Sequence, residues 1–263
     1  VITADGVAVR FGRREVLSGI DLAVCPGTVT GIVGPNGSGK STLLRAMLGA
    51  VPVSAGRVLL DGRDLRRVPR RSIAQRVAFV GQNVGGDPAL RVADEVALAG
   101  IARGRGGASF DLDVARALDA VGLGDRAHSA LGTLSGGERQ RVSIARAIAQ
   151  NAEVVLLDEP TNHLDVRHRL ELAAMLRGIA PTVVIVLHDL DLAAHVCDHV
   201  VVLNEGRVAA AGSADKVLVP AVLDEVYGVE VVATQGGGGV RSLTFRLPAD
   251  VVDGYMKRRN LDE

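Results

Sequence analysis

The stretch Gly34-Pro35-Asn36-Gly37-Ser38-Gly39-Lys40-Ser41-Thr42 joins the apolar run Val29 to Val33 to a helical pattern with Leu43, Leu44, Met47 and Leu48 on one face. It reads as strand, loop, helix. In that setting the spacing of Gly34, Gly39, Lys40 and Ser41 has a mechanism: glycines let consecutive backbone N–H groups curl round phosphate oxygens, and the helix N-terminus faces the negative charge. Lys40 reaches the outer phosphates, and the Ser41 hydroxyl suits Mg²⁺, a hard cation that takes few protein oxygens and keeps several waters. Lysine is otherwise found only at 216 and 257 in a chain that carries arginine elsewhere, and a compact ammonium fits this pocket. The competing reading is a glycine-rich turn with no ligand; the flanking strand and helix favour a nucleotide site.

The 263 residues suffice for a substantial core in one large or two small domains. Aromatic residues make up only 2% of the chain against 48% hydrophobic, so that core is built from Val, Leu, Ile and Ala. No apolar run approaches the roughly 18 residues of a membrane helix, and the first residues carry no signal-peptide pattern. A formal net charge of zero speaks against a general nucleic-acid binder. Cys25 and Cys197 lie far apart without metal-ligand spacing, which reads as two buried reduced thiols of a cytosolic protein.

Alternation at Val7, Val9 and Phe11, a turn at Gly12 to Glu15, and Val16, Ile20, Leu22 and Val24 predict an antiparallel hairpin ahead of the loop strand. Phe11, beside that turn, fits either a ring stacked on a base or a core phenylalanine. Val58 to Leu60 runs into the turn signal Asp61-Gly62, and Val77 to Val80 ends at Gly81-Gln82-Asn83, which puts a polar Gln82 where it can meet a metal or water. From about Val92 to Gln150 the period becomes helical, with Val92, Val96 and Ala99, then Leu112, Ala115, Leu118 and Val121, each set lining one face, which reads as a mostly helical insert. Gly100 to Ser109 reads as a solvated flexible loop, with contact to anionic lipid headgroups as the alternative.

Leu134-Ser135-Gly136-Gly137-Glu138 opens a helix whose apolar positions include Val142, Ala145, Ile148 and Ala149. It is a second anion-binding N-terminus or a structural cap. Val154 to Leu157 reads as a strand buried on both faces that delivers Asp158 and Glu159 at its carboxyl end, where parallel sheets place ligands. Asp158 suits a metal, and Glu159, pointing the other way, suits the base that activates water; the bland alternative is a pair of helix-capping acids. Asn162-His163-Leu164-Asp165 leads into a helix carrying Leu170, Ala173 and Leu176. Thr182 to Leu187 then brings His188 to the same sheet edge, within reach of a terminal phosphate. His195 and His199 read as surface histidines. Val200 to Ala211 predicts a closing hairpin, Leu218 to Val229 a helix and then a short extended piece, Thr234 to Gly239 a connector, and Leu243, Phe245 and Leu247 one more edge strand before a frayed charged end.

With the loop 34–42, Gln82, Ser135-Gly136-Gly137-Glu138, the strand ending Asp158-Glu159, Leu164-Asp165 and His188 in that order, the chain resembles the ATP-binding subunit of ABC transporters. The resemblance implies an α/β fold: a P-loop nucleotide-binding core with an antiparallel β subdomain and an inserted helical subdomain at about 83–150, spanning 1–229, with 230–263 as a C-terminal extension. It implies ATP and Mg²⁺ as cofactors, and a homodimer in which each ATP lies between the loop of one copy and Ser135-Gly136-Gly137 of the other. On this reading Phe11, the residues 34–42, Ser135 to Glu138 and Asp165 contact nucleotide. Ser41, Gln82 and Asp158 hold the metal, and Glu159, His188 and Gln82 serve hydrolysis. Separate transmembrane permease subunits and a solute-binding protein follow as partners, no nucleic acid does, and the place is cytoplasmic, on the inner face of the cell membrane.

Within that family Glu159 to Asp165, Leu187 to Ala193 and Val222 to Val229 look like importers of ferric siderophores, haem or cobalamin. Such importers usually carry Gly-Arg-x-Pro-His after a Val-Ala-Leu, whereas Val96-Ala97-Leu98 precedes Ala99-Gly100-Ile101-Ala102-Arg103 here. The departure falls near the surface expected to meet the membrane partner. Alternatives are an importer ATPase for another metal or small solute, or a soluble ABC ATPase acting on ribosomes or DNA. The second would carry a duplicated cassette or a long coiled coil, and no heptad run occupies 50–133. A GTPase would want an Asn-Lys-x-Asp reader, of which 162–165 is a poor imitation.

Overall fold

The computed structural model describes residues 1–82, 86–104, 106–162, 164–235, 241–249 and 251. Asn83, Arg105, His163, the glycines 236–239 and the charged end lie outside the described residues. In chain order the elements are β1 (Ile2–Phe11), β2 (Arg14–Ala23), β3 (Val29–Val33), α1 (Lys40–Met47), β4 (Ala55–Leu60), β5 (Arg63–Asp64), α2 (Arg70–Arg76), β6 (Val77–Val80), α3 (Val92–Ala97), α4 (Ala99–Arg103) and α5 (Ala108–Ala120). There follow α6 (Gly136–Gln150), β7 (Val154–Asp158), α7 (Val166–Ile179), β8 (Thr182–Val186), α8 (Leu190–Val196), β9 (His199–Asn204), β10 (Arg207–Ser213), α9 (Ala214–Val217), α10 (Pro220–Tyr227), β11 (Glu230–Gln235) and β12 (Arg241–Arg246).

The central sheet has the order β10-β9-β3-β8-β7-β6, parallel throughout except for β10. Its inner strands are continuous apolar runs because both faces are covered. Alternate residues serve two different cores: Val29, Val33, Val155, Leu157, Val183 and Ile185 face one, and Ile32, Val154, Leu156, Val184 and Val186 the other. Leu156 and Leu157 are both fully buried, so truncating either to Ala is expected to cost about 2–5 kcal/mol. The second core is closed by α1, through Leu43, Leu44 and Met47, and by the antiparallel sheet β2-β1-β4-β5. The hairpin expected ahead of the loop is therefore present as β1 and β2.

On the first face lie α3 to α10. The inward stripe of α5 is Phe110, Val114, Ala117, Leu118 and Val121, whereas Leu112 is 59% exposed. Of the face expected from Leu112, Ala115, Leu118 and Val121, the last two are buried, while Leu112 and Ala115 are exposed and the pair Phe110/Val114 takes their place. In α7 the buried residues are Leu172, Leu176 and Ile179, and Leu170 faces out. The loop expected from Gly100 is helical as far as Arg103, with Gly100 buried in α4, where a glycine permits close packing. Cys197 is buried as expected, whereas Cys25 is only partly so; both are free.

The closing hairpin β9–β10 turns at Glu205 (φ 46°) and Gly206 (φ 77°), a two-residue turn whose twist suits paired strands. Pro220 opens α10 and Gly228, at φ 65°, ends it. The strand expected around Leu243 exists as β12, yet it joins neither large sheet. It pairs with β11, which takes in Thr234 and Gln235 of the expected connector, as a separate two-stranded sheet against α8 and α10.

Candidate functional site

Four strands of the central sheet bring their carboxyl ends to one edge: β3 delivers the glycine-rich loop, β7 Asp158-Glu159, β8 Leu187-His188 and β6 Gly81-Gln82. The loop's shape depends on glycine. Gly34 has φ 147°, and a Cβ there would stand 2.1 Å from the Leu203 carbonyl oxygen; Gly39 has φ 101°, and a Cβ there would stand 2.6 Å from Leu17 Cδ2. Gly39 begins α1 in the left-handed region without any side-chain cap, which leaves the helix's first N–H groups free for an anion. Lys40 is 5% exposed, and its Nζ donates to the carbonyls of Gly34 at 2.8 Å and Pro35 at 2.9 Å. Burial lowers its pKa, while Glu159 and Asp158 act to raise it. The buried Ser38 hydroxyl has no partner.

Asp158 is fully buried. Ser41 Oγ donates to its Oδ1 at 2.7 Å, whereas Oδ2 has no hydrogen-bond partner and faces Arg45 Nη2 at 3.5 Å. Burial raises the pKa of this carboxyl, opposed by the Ser41 hydrogen bond and by Arg45. A hydroxyl beside an unsatisfied buried carboxylate oxygen is a donor set that a small divalent cation fits.

Glu159 follows with φ 51°, a left-handed conformation unusual for a side chain of this size and of the kind that concentrates at functional sites. Its Oε1 lies 2.6 Å from His188 Nε2, and its Oε2 accepts from Asn162 Nδ2. Asp189, next to His188, caps α8 by accepting from Leu192 N–H at 3.0 Å.

The Ser135 group forms a second centre. Ser135 Oγ accepts from Glu138 N–H at 3.2 Å while Glu138 Oε2 accepts from Ser135 N–H at 2.8 Å, a reciprocal capping box. The Ser135 backbone N–H, and the Ser135 hydroxyl that also donates to Glu138 Oε2 at 2.8 Å, hold the Glu138 carboxyl below the usual range. Ahead of it, Leu131 N–H donates to Leu90 O and Gly132 N–H to Pro88 O, so the segment after Gln82 is strapped to the one that leads into Ser135. Asp165 caps α7 by accepting from His168 N–H at 2.8 Å, and this bond lowers its pKa. Leu164 and His168 line the approach to Gly137, which places Asp165's segment beside the cap.

The structure thus joins residues 34–42 with Asp158, Glu159 and His188, and joins Ser135 to Glu138 with the 164–168 segment. Among the described residues no hydrogen bond or ion pair links the two centres. Phe11 is 51% exposed at the end of β1, which removes the core alternative for its ring. Gln82 is exposed at the end of β6, next to the strand of Asp158. Sequence reasoning missed Arg45, Asn162 and Tyr227. Burial pushes the Tyr227 phenol up to about 12, partly offset by a hydrogen bond from the Gly34 backbone, and nothing local to Tyr227 points to a loop so far away in the chain.

A phosphate loop on the central strand of a parallel sheet, with paired acids ending a strand two places along, defines a P-loop nucleoside-triphosphatase. The family model described as ABC transporter matches residues 17–162. The chain is 40% identical to the Hemin import ATP-binding protein HmuV of Pseudomonas entomophila (strain L48) over 88% of its length and 94% of that protein. It is 38% identical to the Cobalamin import ATP-binding protein BtuD of Halobacterium salinarum (strain ATCC 29341 / DSM 671 / R1) over 92% of its length and 63% of that protein. A solved ATP-binding subunit of an ABC transporter superposes with a TM-score of 0.76 at 25% identity, covering 86% of this chain and 98% of that one. The chain belongs to the ABC transporter family, as its ATP-hydrolysing subunit. Among the described residues no helix is long and apolar enough to cross a membrane.

Proposed function

We propose that this chain powers uptake of haem, a ferric siderophore or cobalamin, as a homodimer docked on separate transmembrane permease subunits at the inner face of the cell membrane. The hemin and cobalamin import relatives support the cargo class. A solute-binding protein completes the importer, and residues 1–229 form the working cassette.

In this reading the loop N–H groups and Lys40 grip the phosphates of ATP, and Phe11 stacks on the base. Ser41 and Asp158 would hold Mg²⁺, with Gln82 beyond the end of β6 as a further ligand. When bound, the ion neutralises charge on the phosphate oxygens. Glu159 takes a proton from the attacking water, and His188 holds the Glu159 carboxylate and reaches the terminal phosphate. Ser135, Gly136, Gly137 and Glu138 of the second copy, with Asp165 nearby, close over the same nucleotide.

The observation that carries the reading is Asp158 Oδ2, buried and without a hydrogen-bond partner, on the carboxylate whose Oδ1 accepts from the Ser41 hydroxyl of the loop. A Glu159→Gln chain saturated with MgATP is expected to run as a dimer in light scattering, and the same chain carrying Ser135→Arg as a monomer. A monomer without the second substitution sinks the shared-site reading. For the cargo, ATPase activity of the permease complex in lipid vesicles should rise when its solute-binding protein is loaded with hemin, a ferric siderophore or cobalamin; stimulation by none of these sends the search to another solute.

A further inference from the structure

The C-terminal hairpin β11–β12 has no part in the nucleotide chemistry above, yet it is fastened beside it. Leu243 N–H donates to Asp191 Oδ1 at 2.7 Å, and Val231 N–H donates to Asp224 Oδ1 at 2.8 Å. Val231 and Leu243 are 6% and 3% exposed, in the same apolar cluster as Leu187, Leu190 and Ala193. Asp191 lies in the first turn of α8, three residues beyond His188. On its other side that turn is held by α7, through Arg169 Nη1 and Asp189 Oδ2 at 3.1 Å. His188 therefore sits between a buried anchor, Leu187, whose N–H donates to Ile32 O at 3.1 Å, and a helix start gripped from two directions.

We propose that the hairpin is a brace that fixes His188 against Glu159, with Asp191 as the positioning residue through which it acts. The proposal rests on the reading of Glu159 and His188 as the hydrolysing pair. The 2.6 Å contact between them tolerates little movement, since displacing a catalytic group by about 1 Å can cost on the order of 10²-fold in rate. The seven residues of α8 form a short helix whose first turn has one side-chain cap of its own, Asp189. A carboxylate accepting a backbone N–H from outside the helix supplies a second restraint. Among the described residues no hydrogen bond or ion pair joins the hairpin to 34–42 or to Asp158 and Glu159, so its influence passes through α8.

The test is a double-mutant cycle on the full chain. Asp191→Ala is expected to lower kcat about tenfold with the Kd for ATP held within about twofold, and to change kcat less than about twofold in a His188→Ala background, because groups that act through one another are not additive. Asp191→Asn keeps an oxygen acceptor and should restore kcat. Should Asp191→Ala fail to fold, Leu243→Pro removes the same N–H, which goes to Asp191 although Leu243 itself pairs with Ala233 in the β11–β12 ladder, and enters the same cycle. Equal losses of kcat in both backgrounds, no loss in the wild-type background, or a loss confined to ATP affinity overturns the brace. A His188→Ala chain that hydrolyses ATP normally removes the histidine's role and the brace together; an impaired His188→Ala beside an unimpaired Asp191→Ala removes the brace alone.

Discussion

His188 Nε2 stands 2.6 Å from Glu159 Oε1, although the two residues end different strands of the central sheet. The adjacency of β7 and β8 places them there: Asp158 pairs with Val186 in register, so the residues just past each strand end face one another. With Asn162 on Oε2, both oxygens of the Glu159 carboxylate are engaged and its plane is set. A general base works only when such a group is aimed at the water it deprotonates.

Glu159→Gln preserves the shape of this arrangement and removes the basic oxygen. Turnover is expected to fall about 10²–10⁴-fold, the scale of a positioned base, with ATP affinity within a few-fold of wild type. Phosphate release and equilibrium nucleotide binding, measured on the same preparation, check it. Hydrolysis at wild-type rates would take Glu159 out of the role.

The exposed Phe11 ring makes a cleaner probe of nucleotide contact than any loop residue, because little of the fold depends on it. At 51% exposure its removal should leave the melting temperature nearly unchanged. Stacking on a base is worth about 1–3 kcal/mol, so Phe11→Ala should weaken ATP binding by about 5- to 150-fold, and Phe11→Tyr should keep it. Unchanged affinity in Phe11→Ala would show that the ring stacks on nothing.

What the chain disclosed in advance was whatever is contiguous. The loop 34–42, the buried strands Val29–Val33, Val154–Asp158 and Thr182–Val186 and the cap at Ser135 are local patterns, and each stands where its spacing placed it. Helix faces were less legible. In α5 the apolar residues Phe110, Leu112, Val114, Leu118 and Val121 occupy two overlapping stripes, and only the packing of α3 and α6 against it decides that Leu112 faces out. Gly100 weakens a helix in isolation, yet it lies buried within α4, so tertiary packing overrides its local preference. Hardest of all were Asn162 on Glu159, Tyr227 beside Gly34 and the fastening of β12 to Asp191, which are side-chain meetings across loops that no period records.

Asp198 ties the start of the loop-bearing strand to α7. Its carboxylate accepts from Val29 N–H at 2.8 Å and from Arg177 through both oxygens, at 3.1 and 2.8 Å. Arg177, with the Val29 N–H, holds its pKa below the ordinary value. A depressed folded-state pKa means that the unfolded chain binds the proton more readily, so the stabilisation is present above the unfolded pKa of about 3.9 and is lost as pH falls through the lower folded value. Because the pair is partly exposed its worth is modest, about 1 kcal/mol. Asp198→Asn should then lower the melting temperature by about 2–4 °C at pH 7, a gap that narrows as pH falls below about 4. A constant gap across that range would mean that the loss came from packing.

Gly34 and Gly37 both have positive φ, at 147° and 80°, but differ in what surrounds them. A Cβ on Gly37 would meet nothing within 4 Å, whereas one on Gly34 would run into the Leu203 carbonyl at 2.1 Å and Ser38 Oγ at 2.9 Å. Gly37→Ala therefore incurs conformational strain alone, about 1–2 kcal/mol, and should fold with a melting temperature lowered by about 2–8 °C. Gly34→Ala must also push the loop away from β9, and since the obstacle is backbone, no side-chain rotation relieves it. Loss of soluble folded protein, or a melting temperature well below that of Gly37→Ala, is the expected outcome. Circular dichroism melts of the two variants side by side decide it: equal stabilities would mean that the contact between loop and β9 gives way readily, and that the fixed shape of the phosphate cradle comes from the turn itself.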